Sequence, residues 1–109
     1  MRESHLAVIE RNVEWSGSIT TEPYEVAWAS EAIFFVRILD AQCTLPIDLN
    51  VQLSPDGMHW CDEGRSLRID WTGEIYFVRV AHFGGWLRLA GQMIPGQRAR
   101  VIAYLQLKE

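Results

Sequence analysis

The chain has 109 residues, 49% of them hydrophobic, and a formal net charge of −4, so its length and apolar content suit one β-sandwich domain over residues 1–109. A nucleic-acid-binding domain is disfavoured because it would need a basic surface to neutralise phosphates, and no apolar run approaches the roughly 20 residues of a membrane span. The first residues lack the apolar stretch of a secretory signal, so the protein either works where it is made or has lost a leader.

The first third of the chain predicts two strands separated by a turn-rich segment. Residues 6–15 alternate loosely between apolar and polar side chains, which indicates a strand that breaks near Arg11 and Asn12. Residues 16–23 are rich in Ser, Thr, Gly and Pro and are typical of a loop or short edge element. Residues 32–40 are apolar on both faces apart from Arg37, and their β-branched and aromatic content predicts a central strand.

The segment from residue 47 to residue 61 predicts a β-hairpin. Residues 47–54 alternate strictly between apolar and polar side chains, as in a strand with one buried and one solvated face. The structural turn is Ser54-Pro55-Asp56-Gly57. Pro55 presets φ, Gly57 accepts a left-handed conformation, and Asp56 is expected to hydrogen-bond to its own backbone. A return strand is expected over residues 58–62.

The register of this hairpin decides the position of Trp60. A three-residue loop pairs Gln52 with Trp60 and places the indole on the polar face, whereas a two-residue loop pairs Leu53 with Trp60 and places it in the core. Pro55 favours the three-residue loop. An edge-covering or core position is nevertheless the more common outcome for a tryptophan.

The second half of the chain predicts three further strands, at residues 74–83, 86–90 and 98–108. They follow a polar connection over residues 62–66 and are bounded by three turns, at Trp71-Thr72-Gly73, Gly84-Gly85 and Pro95-Gly96-Gln97. The Gly84-Gly85 pair is typical of a two-residue hairpin connection. About seven or eight short strands without a helical period predict an all-β fold, a single antiparallel β-sandwich with a jelly-roll-like architecture.

No residue pattern indicates catalysis, a cofactor or a metal ion. A hydrolase would need a nucleophile beside its base, or two facing carboxylates, but the three histidines are scattered along the chain. Cys43 and Cys61 are compatible with a disulfide, although two free thiols are expected more often in a reducing compartment. With His59 and His82 they contain the residue types of a zinc site but lack its paired spacing.

The aromatic residues are the better candidates for function. Tryptophans near strand ends can form a platform for a sugar or a contact between subunits, although each is more often a packing residue. The possible contact surface predicted from the sequence consists of Trp60, Trp71, Trp86 and Tyr104.

Two resemblances are carried by the sequence itself. The hairpin Ser54-Pro55-Asp56-Gly57-Met58-His59-Trp60 resembles one in discoidin-like β-sandwich modules. It is also similar to the Asp-box hairpin of sialidases, but that box has one more residue between Asp and Gly and this chain has no second copy, so a sialidase-type propeller is not supported. Over residues 20–108, the order of an apolar strand, this hairpin, a Gly-Gly-Trp-Leu-Arg-Leu segment and a final alternating strand is similar to small β-sandwich proteins of phage and prophage structural gene sets. That resemblance implies a virion or surface component without enzymatic activity.

The sequence therefore predicts a non-enzymatic, structural and self-associating module, as a homo-oligomer or with other subunits of a phage-like particle. The alternative is a carbohydrate-binding module that presents Trp and Tyr side chains to a glycan. Self-association is favoured because a small sandwich has open strand edges, and a strand apolar on both faces leaves apolar surface beyond its single core.

Overall fold

The structure, a computed structural model that describes residues 4–109, is a sandwich of two antiparallel β-sheets. In chain order its nine strands are β1 (Ser4–Trp15), β2 (Ser18–Thr20), β3 (Tyr24–Glu25), β4 (Glu31–Gln42), β5 (Ile47–Ser54), β6 (Cys61–Ile69), β7 (Ile75–Ala81), β8 (Trp86–Gln92) and β9 (Arg98–Lys108). The all-β prediction is confirmed. Residues 4–109 contain no helix that is long and apolar enough to cross a membrane.

The strand order is that of a jelly roll. The four-stranded sheet has the order β1-β9-β4-β7, and the five-stranded sheet has the order β2-β8-β5-β6 with β3 also paired to β8. Four antiparallel pairs, β1–β9, β2–β8, β4–β7 and β5–β6, are nested along the chain and alternate between the two sheets. Such a rolled long hairpin is the jelly-roll topology that the strand count and spacing predicted.

The core lies between the two sheets and follows the alternation of each strand. On β9 the inward residues predicted from the sequence are all buried: Ala99, Val101, Ala103, Leu105 and Leu107. Phe34 of β4, beside Leu105 in the same sheet, and Leu89 of β8, in the facing sheet, are also fully buried. Each large aliphatic or aromatic side chain removed from water in this way contributes about 1.5–3 kcal/mol.

β1 and β4 lie where the sequence predicted a strand with a break and a central strand. β1 is irregular at the predicted break, because Asn12 has φ 52° and the pairing with β9 shifts between Glu10 and Val13. β4 is central, since it pairs with β7 on one side and with β9 on the other. Its outward side chains Ile33 and Phe35 remain half-exposed.

The predicted hairpin exists, but its register differs from both predicted loops. Leu53 pairs with Cys61 and Gln52 with Asp62, so the return strand begins three residues later than predicted. The predicted polar connection over residues 62–66 is wrong, because these residues belong to β6. They contain a bulge in the pairing with β5, between the pairs Asn50–Ser66 and Gln52–Asp62, in which Gly64 has φ 116°. Polar side chains are compatible with this position because β6 is an edge strand.

The hairpin predicted at Gly84-Gly85 is also wrong. β7 pairs with β4, whereas β8 pairs with β5, so the connection crosses from one sheet to the other. The left-handed residue of this connection is His82, with φ 58°. Gly85 instead permits a close approach, because a Cβ atom there would lie 3.1 Å from the carbonyl oxygen of Pro55.

Candidate interaction surface

The Ser54–Gly57 turn is a closed hydrogen-bond system. The buried Ser54 hydroxyl accepts hydrogen bonds from the N–H groups of Asp56 at 3.2 Å and Gly57 at 2.8 Å, and Gly57 has φ 80° as predicted. Asp56 Oδ1 accepts the N–H groups of Met58 at 2.8 Å and His59 at 2.9 Å. These bonds continue the turn beyond Gly57, which explains why the return strand starts late.

Asp56 is therefore a structural residue of the turn. Its Oδ2 atom lies 2.7 Å from His59 Nδ1. Hydrogen bonds from the His59 N–H and ring, and then from the Met58 N–H, hold the pKa of Asp56 well below its usual range. The expectation that Asp56 hydrogen-bonds to its own backbone is confirmed.

Trp60 lies half-buried on the outer, polar side of the five-stranded sheet, the face that the three-residue loop predicted, although Gln52 pairs with Asp62 and not with Trp60. The guanidinium carbon of Arg88 is 4.1 Å from the centre of the Trp60 ring, a cation–π distance. Arg88 Nε also donates to Gln52 Oε1 at 2.8 Å, and Gln52 Nε2 donates to Asp62 Oδ1 at 3.0 Å. The Trp60 ring is thus covered by a fixed guanidinium.

Trp71 and Trp86 likewise make contacts within the protein. Trp71 has φ 68°, and its Nε1 donates to the Leu45 carbonyl at 2.8 Å. The Trp86 ring packs over the hairpin turn, because a Cβ atom built on Gly57 would meet Trp86 Cε2 at 3.2 Å. Both residues are half-exposed, and both fix loops in place.

The residues considered for a disulfide or a zinc site are not brought together. Cys43 and Cys61 are free thiols that donate to different carbonyls, those of Arg98 and Leu53. Burial raises the pKa of the Cys43 thiol. Within residues 4–109, no group of three or more His, Cys, Asp and Glu side chains is placed to hold a metal ion, so the considered zinc ligands are not brought together.

The outer face of the four-stranded sheet carries four of the eight exposed large hydrophobic residues of the part of the chain that the structure describes. We call it the apolar face and define it by the outward side chains Leu6, Val8, Ile33, Phe35, Ile75, Phe77, Ile102 and Tyr104. Two polar side chains lie among them: Arg37 between Ile75 and Ile102, and Gln106 between Leu6 and Ile33. Among large apolar residues of the described chain, several of the most exposed belong to it: Leu6 is 56% exposed, Ile75 56%, Phe77 52% and Val8 40%. Exposed apolar patches of this kind commonly mark interaction sites, whereas apolar residues scattered singly over a surface do not.

The centre of the apolar face is one uncharged row across all four strands. The backbone register places Val8 beside Tyr104, Tyr104 beside Phe35, and Phe35 beside Phe77. The Phe35 and Phe77 ring centres are 6.3 Å apart, within the range of an attractive aromatic pair. The Arg79 guanidinium carbon lies 5.1 Å from the Phe77 ring centre, so this cation covers the border of the row.

Charged pairs flank the apolar face at both ends of the strands. At one end Lys108 of β9 lies beside Glu31 of β4, and at the other end Arg100 of β9 lies beside Asp40 of β4. In each pair the cation is on β9 and the anion is on β4. Arg100 Nη1 also donates to the Asn12 carbonyl at 3.3 Å.

The structure thus divides the four residues of the predicted contact surface. Tyr104 lies at the centre of the apolar face, whereas Trp60 and Trp86 lie on the five-stranded sheet and Trp71 lies in the loop after β6. Sequence reasoning missed Val8 and Phe77 as members of the same surface. Their signal was the outward half of the alternation in β1 and β7, and it could be interpreted only once the register placed Val8 beside Tyr104 and Phe77 beside Phe35.

The fold is similar to a solved structure. The SPBc2 prophage-derived protein YomS matches with a TM-score of 0.65 and 6% sequence identity, over 100% of this chain and 96% of that one. At this identity the likeness concerns the fold. No protein-family model matches the sequence, and no curated protein matches it by sequence.

Proposed function

We propose that this chain is a non-enzymatic structural subunit that associates with copies of itself. The observation that carries the proposal is the apolar face, which presents apolar side chains from all four strands of one sheet to solvent. Removing such a surface from water stabilises an association by about 25 cal/mol for each Å² of apolar area. A homo-oligomer is the most common assembly of soluble proteins and would bury the face.

The setting we propose is a phage-like particle or another multi-subunit assembly. Its support is the fold likeness to a protein described as prophage-derived, together with the order of motifs in the sequence. Fold likeness alone does not assign a function, so the proposal rests chiefly on the apolar face.

The alternative of a carbohydrate-binding module has less support from the geometry. A sugar platform presents an open aromatic ring to its ligand, whereas Arg88 lies over Trp60 and Trp86 packs over Gly57. Tyr104 lies apart from both, on the other sheet.

Native mass spectrometry and particle imaging of the intact chain, beside a glycan array, test the proposal. Oligomers or particles that form while the array stays blank are the expected result. A 12.5 kDa species at every concentration, or a glycan bound by a stable monomer, would overturn it.

A further inference from the structure

The charges that flank the apolar face have a pattern that a second copy of the chain would match. At both ends the cation is on β9 and the anion is on β4, so these two flanking pairs are antisymmetric about the line between the two central strands, whereas the outward Arg37 of β4 lies beside Ile102 and is not part of this pattern. A rotation of 180° about an axis along that line exchanges β9 with β4 and preserves the position along the strands. Each cation would then face the partner copy's anion.

We infer that two copies pack face to face through the apolar face about a two-fold axis parallel to β4 and β9. This inference rests on the proposed self-association and specifies its geometry. Arg100 of one copy faces Asp40 of the partner copy, and Lys108 faces the partner copy's Glu31. Tyr104 packs on the partner copy's Phe35, so the aromatic rows meet.

A two-fold axis perpendicular to the strands is disfavoured by the same charges. It would keep β9 over β9 and β4 over β4 but reverse the direction along the strands. Arg100 would then face the partner copy's Lys108, and Asp40 would face the partner copy's Glu31. Like charges facing each other across an interface oppose association, whereas the parallel axis brings opposite charges together.

The size of the face is comparable to one side of a standard protein–protein interface. Four strands about 4.8 Å apart and ten residues of about 3.3 Å each, from Glu31 to Asp40 on β4, give a projected area of roughly 600 Å². Protruding side chains make the accessible area larger than the projected area. A standard interface buries about 800 Å² per partner, so the face is of the same order of size.

A charge-exchange experiment on the intact chain tests this geometry. We would measure the dissociation constant by sedimentation velocity for wild type, Arg100→Glu, Asp40→Arg and an equimolar mixture of the two variants. Each variant alone would place like charges opposite each other twice and raise the dissociation constant by about tenfold or more. In the mixture, a heterodimer would restore both opposite-charge contacts and associate nearly as tightly as wild type.

A second pair of variants separates the face from other modes of association. Phe77→Asp is expected to give monomers, while Met58→Asp, a matched change at an exposed residue of the hairpin loop, stays dimeric; thermal melts confirm that both fold. If wild type associates but Phe77→Asp associates equally well, or if mixing rescues nothing, the inferred geometry is overturned and self-association stands. A wild type that remains monomeric at every concentration overturns the proposed function as well.

Discussion

Gly57→Ala tests the structure of the hairpin turn. Gly57 has φ 80°, and a left-handed conformation costs an alanine about 1–2 kcal/mol. The new Cβ would also meet Trp86 Cε2 at 3.2 Å and Cδ2 at 3.3 Å, and shifting a packed ring adds about 1 kcal/mol. We therefore expect the free energy of unfolding to fall by about 2–3 kcal/mol, or the Tm by roughly 10–15 °C.

Gly96→Ala is the matched control. Gly96 has φ 86°, but no atom lies within 4 Å of a Cβ built there, so its substitution carries the backbone strain without the ring contact. The loss in Gly57→Ala is expected to exceed the loss in Gly96→Ala by about 1 kcal/mol. In a Trp86→Ala background this excess is expected to disappear.

Urea unfolding followed by circular dichroism measures all of these variants. If Gly57→Ala and Gly96→Ala lose equal stability, the indole of Trp86 does not pack on the turn. If Gly57→Ala is as stable as wild type, the turn does not require a left-handed residue at this position.

Three further predictions concern the core, the turn and the thiols. Phe34→Ala, in the core, is expected to cost about 3–5 kcal/mol, and Met58→Ala less than about 0.5 kcal/mol; similar losses in urea unfolding would contradict the inward assignment of Phe34. The pKa of Asp56 is lower in the folded state, so its charge stabilises the fold above the unfolded pKa near 4 and this effect is lost as the pH falls further. Asp56→Asn should therefore melt below wild type at pH 7, with the gap closing below about pH 4; a gap constant with pH would refute this. Cys61, which is exposed, is expected to react with a thiol reagent before Cys43, whose pKa is raised by burial; mass spectrometry of partly labelled protein would show the reverse order if the assignment is wrong.

The fold class could be predicted from the sequence because period-2 alternation directly reports which side of a strand is buried. The inward residues of β9 and the left-handed Gly57 were both predictable on this basis. Two errors arose at turns. Hydrogen bonds from the N–H groups of Met58 and His59 to Asp56 extend the hairpin turn, so β6 begins later in the chain than predicted. The connection that contains Gly84-Gly85 crosses between the two sheets instead of joining neighbouring strands.

The candidate surface was predictable only in part. An apolar pattern on both faces of residues 32–40 indicated surplus apolar surface, and Tyr104 was selected as a contact. The sequence does not show that Val8, Phe35 and Phe77 join Tyr104 in one row, because that depends on the pairings β1–β9, β4–β9 and β4–β7. Pairings between strands far apart in sequence are set by the global topology and not by local propensity.

A dilution series followed by ¹H–¹⁵N correlation spectra tests the central claim most directly. Self-association through the apolar face predicts that the amide signals of Val8, Phe35, Phe77 and Tyr104 shift or broaden as concentration rises. The signals of the hairpin turn around Asp56, on the other sheet, are expected to stay unchanged. Spectra independent of concentration, or changes confined to the hairpin turn, would contradict the account.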